Sequence, residues 1–279
     1  MWDAIKGLIL GIIQGLTEFL PVSSSGHLVI FQDILGMENA GVTFELFLHL
    51  ATFISVVAFY FKDVIALIKE LFALIRDIFS FGKRRIMNDE RPYRRLLIMI
   101  IFTSVPVAVV GLILEDIIDS LFSSLLVVGL ALMLTALFLT LSCRMKRGAR
   151  GERDMTVKDA LTVGLFQALA LIPGLSRSGS TITGARIRGF NMEYAVRYSF
   201  LCSLPAIFGA LLLKAKDLFE VASLSVSPQY ITGFVSACIV GFLSLKLLTY
   251  MSKKNNLIPF AVYCLVAGVF SVVWYFVGA

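Results

Sequence analysis

Six stretches, roughly 42–61, 95–114, 121–143, 194–214, 229–250 and 257–278, are each long and apolar enough to cross the hydrocarbon core of a bilayer, which takes about 20 residues of helix. Lipid offers no hydrogen bonds to an exposed backbone, so such stretches must pair their own N–H and C=O groups as helices. Composition agrees. The 279 residues are 58% hydrophobic, with a mean hydropathy of +0.88. The 16% charged residues could hardly clothe a soluble core of this size. The start MWDAIKGLIL has no basic n-region and no small-residue cleavage site, so no cleavable signal is expected.

The charges between the stretches set an orientation. Nine Lys and Arg lie in 62–95 and six in 144–158, and Lys253-Lys254 is a third basic link. The link Glu115-Asp116-Ile117-Ile118-Asp119 is acidic. Basic links stay in the cytoplasm, so the six spans alternate without conflict and the C-terminus falls outside. The net charge of +6 is thereby explained by membrane orientation, and nucleic acid is not an expected partner. Within 62–95, VIALIKELFALIRDIF spaces charges among apolar residues, which predicts an amphipathic helix on the inner surface. Cys143, Cys202, Cys238 and Cys264 sit in or beside apolar runs without metal-site spacing and read as packing residues.

Two regions, about 4–36 and 158–190, are apolar but interrupted. The first contains EFLPVSSSGHL (18–28), the second LIPGLSRSGST (171–181). Neither half of either region is long enough to cross, so each is expected to dip into the membrane and return as a helical hairpin. Laid over one another at an offset of 153, residues 7–31 and 160–184 share seven identities: Leu8/Leu161, Gly11/Gly164, Gln14/Gln167, Leu16/Leu169, Ser23/Ser176, Ser25/Ser178 and Gly26/Gly179. Chance would give about two. Each half then consists of one re-entrant hairpin and three crossings, and an odd number of crossings inverts the second half. The expected fold is a single all-α integral membrane domain over 1–279. It comprises repeat 1 (about 1–143), a cytoplasmic link (144–157) and repeat 2 (about 158–279), with the two polar loops meeting around one cavity.

The loops together offer Gln14, Glu18, Ser23, Ser24, Ser25 and His27 from the first, and Ser176, Arg177, Ser178, Ser180 and Thr181 from the second. Gly26, Gly174 and Gly179 allow backbone amides near a ligand. Arginine clamps phosphate bidentately, helix starts attract anions, and serine, histidine and carboxylate beside them suggest phosphoryl transfer. The matched serines could equally be helix caps, and matched Gln14 and Gln167 favour a structural hydrogen bond for at least one. The mismatches carry more information: Ser24 falls on Arg177, Glu18 on Leu171 and His27 on Ser180. His49, four residues after Glu45, could form a relay or metal pair but reads as a packing residue. Glu193 and Arg197 are spaced for an ion pair within one helix.

QGLTEFLPVSSSGH and PGLSRSGST resemble the two signatures of the BacA-type undecaprenyl-pyrophosphate phosphatases, and the resemblance spans nearly the whole chain. It implies a multi-pass protein of the bacterial inner membrane that hydrolyses undecaprenyl pyrophosphate to the monophosphate carrier for peptidoglycan synthesis. Bacitracin resistance follows from the same resemblance. It also implies a divalent cation, Mg2+ or Ca2+, with Glu18 and Gln14 as its ligands. On the same basis Ser24, His27 and Glu18 are the catalytic set: Ser24 is expected to attack phosphorus with His27 taking its proton or holding the phosphate, the rival being attack by His27 with Ser24 only binding. Arg177, Ser176 and Thr181 bind phosphate, aided by Ser23, Ser25, Ser178, Gly26 and Gly179. The site is expected to open to the outer side, where hairpin 1 enters. Partners are the polyprenyl pyrophosphate and membrane lipid, and a homodimer is compatible with this reading. The alternative is a transporter or flippase of a polyprenyl phosphate or small anion, since inverted repeats with broken helices also build transporters.

Overall fold

The computed structural model describes residues 2–34, 41–79, 91–121, 124–214 and 228–277. These form α1 (Trp2–Phe19), α2 (Ser24–Ile34), α3 (Gly41–Phe59), α4 (Phe61–Phe79), α5 (Pro92–Ile113), α6 (Glu115–Leu121), α7 (Leu125–Arg144), α8 (Val157–Leu169), α9 (Arg177–Ile187), α10 (Met192–Leu213), α11 (Pro228–Lys253) and α12 (Ile258–Val277). No strand occurs among the described residues. Among them, α5, α7, α10, α11 and α12 are each long and apolar enough to cross a membrane, and α3 with α4 qualifies as a pair across a 90° bend, giving five spans or up to six. The chain is a multi-pass helical membrane protein.

The bend between α3 and α4 falls where the sequence meets its first charges after the apolar run, Lys62 and Asp63. Beyond it α4 is amphipathic, as the sequence predicts: Leu67 and Leu74 are buried, while Lys62, Lys69 and Arg76 are exposed. Buried Arg94 at the start of α5 holds α4 by donating to Glu70 (2.8 Å) and Asp77 (3.0 Å). A buried guanidinium needs such carboxylates, because its charge is costly to desolvate alone. Two local expectations change. The acidic link forms the short helix α6. Arg197 does not pair with Glu193 one turn away but reaches across to Asp63 (2.7 Å) and Glu152 (2.8 Å), because its face of α10 looks onto α4 and the 3-10 turn at Glu152–Asp154.

The interrupted regions are helical hairpins. In hairpin 2, α8 and α9 return to the same end: Asp159 in the first turn of α8 accepts from Arg188 just past α9 (2.5 Å) and from Arg150 (2.6 Å), and Arg150 also donates to the Arg188 carbonyl (2.6 Å). In hairpin 1, α1 and α2 are joined by the turn at 20–23.

The first helix of each hairpin lies along a long helix of the other half of the chain. α1 runs parallel to α11, with Thr232 donating to the Ala4 carbonyl (2.8 Å) and Ser236 to that of Leu8 (3.2 Å). Glycines at 7, 11 and 15 make this approach possible: a Cβ on Gly11 would lie 2.1 Å from Ser236 Oγ and 2.2 Å from the Gly233 carbonyl. Small residues allow such backbone contact where no hydrophobic effect drives helices together. α8 runs parallel to α5 in the same way, with Thr103 donating to the Ala160 carbonyl (3.0 Å).

Candidate active site

The tips of the two hairpins touch. The Gly174 amide donates to Ser25 Oγ (3.5 Å), and a Cβ on Gly26 would stand 3.2 Å from Gly174 Cα. Gly174 has φ +90°, a conformation that costs glycine little and other residues more. Each tip then starts a helix with the same device. The Gly26 amide donates to Ser23 Oγ (3.4 Å) and that of Gly179 to Ser176 Oγ (3.1 Å), while Ser23–Ser25 and Ser176–Ser178 hydroxyls are each 3.3 Å apart. Capping is therefore a real role of Ser23 and Ser176.

Glu18, 6% exposed, is the hub. Arg177 of the opposite hairpin donates to its Oε1 through Nη2. Its Oε2 accepts from Ser24 Oγ (2.6 Å) and Gln14 Nε2 (3.1 Å), and His49 Nε2 stands 3.7 Å away. A carboxylate this buried is tenable only with a cation and several donors. Short hydroxyl-to-carboxylate bonds of this kind are the stronger, charge-assisted class.

This set borders a cavity of about 1670 Å³. Glu18, Ser23, Ser24, Ser25, Ser176 and Arg177 are on its wall, together with His49 and Gln167. Most of the remaining lining is apolar, as at Val107, Leu171, Ile207, Leu211, Phe270 and Trp274. A charged polar cluster in a large greasy chamber suits an amphiphile with an anionic head.

Other predicted residues stand behind the wall. His27 does not face the cavity. Its Nδ1–H donates to the Ser23 carbonyl (2.7 Å), and its Nε2 accepts from Tyr263 OH (2.6 Å), with the two rings stacked at 5.4 Å. A carbonyl can only accept, so this pairing fixes the tautomer. Thr181 donates to the Arg177 carbonyl (2.9 Å) and lies 2.6 Å from the Ser199 hydroxyl. Ser178, Gly26 and Gly179 belong to the capping frame. Gln14 is fully buried, with Oε1 unpartnered beside Glu18. Among the described residues no three His, Cys, Asp or Glu side chains gather as a metal cluster. Glu18 and Gln14 Oε1 nonetheless supply the hard oxygen donors that Mg2+ and Ca2+ prefer.

Sequence reasoning passed over three contributors. The sequence presents His49 as a packing residue, yet it lies on the cavity wall with its Nδ1–H donating to the Glu45 carbonyl (2.9 Å) and Nε2 toward Glu18. Its i+4 spacing from Glu45 was visible, but not that α3 would pass the tip of α1. The repeat match suggests a structural hydrogen bond for Gln14 or Gln167, yet Gln167 lies on the cavity wall. Tyr263 had no local signal at all, being 236 residues from His27.

With this geometry in hand, similarity to known proteins decides the family. Residues 7–270 match the family described as bacitracin resistance protein BacA. The chain belongs to the BacA family. It is 42% identical over 277 residues, 98% of both chains, to a protein of Methanosphaera stadtmanae named undecaprenyl-diphosphatase. A Halothermothrix orenii protein of the same name is 39% identical over 97% of this chain and 98% of its own. "Undecaprenyl-diphosphatase 3" of Bacillus anthracis is 38% identical over 97% of each. These BacA relatives are similar to this chain from end to end, both hairpins included.

Proposed function

We propose that this BacA-family protein hydrolyses undecaprenyl pyrophosphate to undecaprenyl phosphate and inorganic phosphate, recycling a lipid carrier for cell-wall synthesis and thereby conferring bacitracin resistance. The observation that carries the reading is the chain Ser24–Glu18–Arg177, which joins a nucleophile, a proton acceptor and an anion binder across the two hairpin tips on one cavity wall.

Ser24 Oγ attacks the terminal phosphorus. The Oγ–P bond forms as the P–O bond to the polyprenyl phosphate breaks, and the hydroxyl proton passes to Glu18 Oε2, already at hydrogen-bond distance (2.6 Å). Water then attacks the phosphoserine, releasing inorganic phosphate, and Glu18 returns the proton to Oγ. Arg177 Nη1, buried and unpartnered, is free to take a phosphate oxygen as charge develops. His27 cannot take the Ser24 proton while both its nitrogens are engaged elsewhere. In this reading it sets the loop, holding the carbonyl of Ser23, whose φ is +71°, directly before the nucleophile. Glu18 and Gln14 would hold a divalent cation, which when bound would offset the charge of the phosphate.

The fold reading is six crossings and two re-entrant hairpins in an inverted repeat. The exchanged pairing of α1 with α11 and α8 with α5 supports it. By charge the site opens outward. Leu112, Ile118 and Leu125, flanking or within the acidic link, and Lys214 after α10 are on the cavity wall, and these are the ends that the basic links place outside. Location in the cytoplasmic membrane follows from the proposed substrate.

Purified protein in lipid vesicles should release inorganic phosphate from undecaprenyl pyrophosphate, and the Ser24→Ala protein should not. Movement of the lipid between leaflets without phosphate release would favour the transport reading instead.

A further inference from the structure

Gln167 has no part in the reaction as set out above, yet its placement is that of a ligand-binding group. It is 1% exposed and on the cavity wall. Its Oε1 lies 3.4 Å from the Cys202 thiol, whose one proton it shares with the Ser199 carbonyl (3.3 Å), while its Nε2 has no partner among the described residues. A buried amide donor left unpaired is costly and uncommon. Among the described residues, Arg177 Nη1 is another buried donor on this wall without a partner. Gln167 on α8 and Arg177 at the start of α9 line the same wall, and α8 packs against α9.

The matched residue of hairpin 1 shows the opposite arrangement. Gln14 gives its amide nitrogen to Glu18 and keeps its carbonyl oxygen bare. A carboxylate accepts only, which forces that orientation. Gln167 has no carboxylate beside it, since the position matching Glu18 is Leu171. Its acceptor lies against a thiol, and its donor is buried and unpaired on a residue of the cavity wall. One glutamine thus offers an acceptor and the other a donor. Phosphate oxygens accept, so the donor belongs to the anion.

We propose that Gln167 is a substrate-binding residue whose Nε2–H donates to an oxygen of the pyrophosphate beside Arg177. It supplies a neutral, directional contact where a second arginine would add charge. The inference rests on the phosphatase reading.

Three variants test it. Gln167→Glu keeps the shape and the acceptor for the thiol but removes the donor. Gln167→Leu removes both, and Cys202→Ala removes only the thiol. The first two should raise KM for undecaprenyl pyrophosphate about tenfold or more, as expected for loss of a hydrogen bond to a charged group, with a smaller change in kcat. They should also lose the thermal stabilisation that inorganic pyrophosphate gives the wild-type protein in detergent, whereas Cys202→Ala should keep both properties. Wild-type KM and stabilisation in Gln167→Leu would overturn the assignment. So would an equal loss in Cys202→Ala, which would make the residue a packing partner of the thiol. If Gln167→Leu does not fold, Gln167→Glu against Cys202→Ala decides. A wild-type protein without phosphate release would remove the phosphatase reading, while the pyrophosphate stabilisation of the variants would still report on Gln167.

Discussion

In both hairpins a serine caps the second helix and lies 3.3 Å from a serine two residues on, Ser23 with Ser25 and Ser176 with Ser178. In both, the first helix lies against a long helix of the opposite half, through small residues and hydroxyl-to-carbonyl bonds. At unmatched positions the two diverge. Hairpin 1 carries Glu18, Ser24 and His27, and hairpin 2 has Leu171, Arg177 and Ser180 there. In the proposed reaction hairpin 1 supplies the groups that make and break bonds, and hairpin 2 those that hold the anion. The two tips thus share a capping frame and differ at the positions proposed to carry the chemistry. Neither hairpin has a complete site alone, because the Glu18–Arg177 bridge runs between them.

The division can be broken at its reactive members first. Ser24→Ala should lower kcat by about 10^4-fold or more, the scale of losing a nucleophile. Retention of a tenth of the rate would move the attacking role elsewhere. Arg177→Ala should lose about two to three powers of ten, as for other removed charge-stabilising donors, and Arg177→Lys should recover little, since a point charge does not replace a planar fork. A near-wild-type Arg177→Ala rate would take hairpin 2 out of the site. Glu18→Gln should reduce both the rate and the activation by Mg2+ or Ca2+. If its metal dependence matched wild type while the rate fell, Glu18 would be the proton acceptor alone.

The shared frame can be tested with gentler changes. Ser23→Ala and Ser176→Ala each remove a cap and should each cost about 1 kcal/mol of stability, read from thermal unfolding in detergent. Clearly unequal costs would show that the two capping frames are not equivalent. The opposed orientation of the halves predicts that single cysteines at Lys146 and Ile118, in a cysteine-free background, label from opposite sides of a sealed vesicle. Labelling of both from one side would contradict the inverted arrangement.

Much of the fold was legible because lipid leaves the backbone few choices. The long apolar runs became α5, α7, α10, α11 and α12 within a few residues, and the offset of 153 located both hairpins. That the two polar loops meet was implied by their match, but the bridge from Glu18 to Arg177 was not. What could not be read was rotation about helix axes. Whether His27 or His49 faces the cavity depends on how α2 and α3 pack, and a histidine in a serine-rich motif looks more chemical than one in an apolar helix. The partner of His27 came from α12 and that of Gln167 from α10. Nothing in the local sequence links those residues.

The central claim is that hairpin 1 supplies the attacking hydroxyl and hairpin 2 the anion clamp. Trapping the phosphorylated protein by acid quench during turnover, then mapping the modified residue, tests it most directly. The account predicts an acid-stable phosphoserine at Ser24, absent in Ser24→Ala. An acid-labile adduct on a histidine that persists in Ser24→Ala would contradict it.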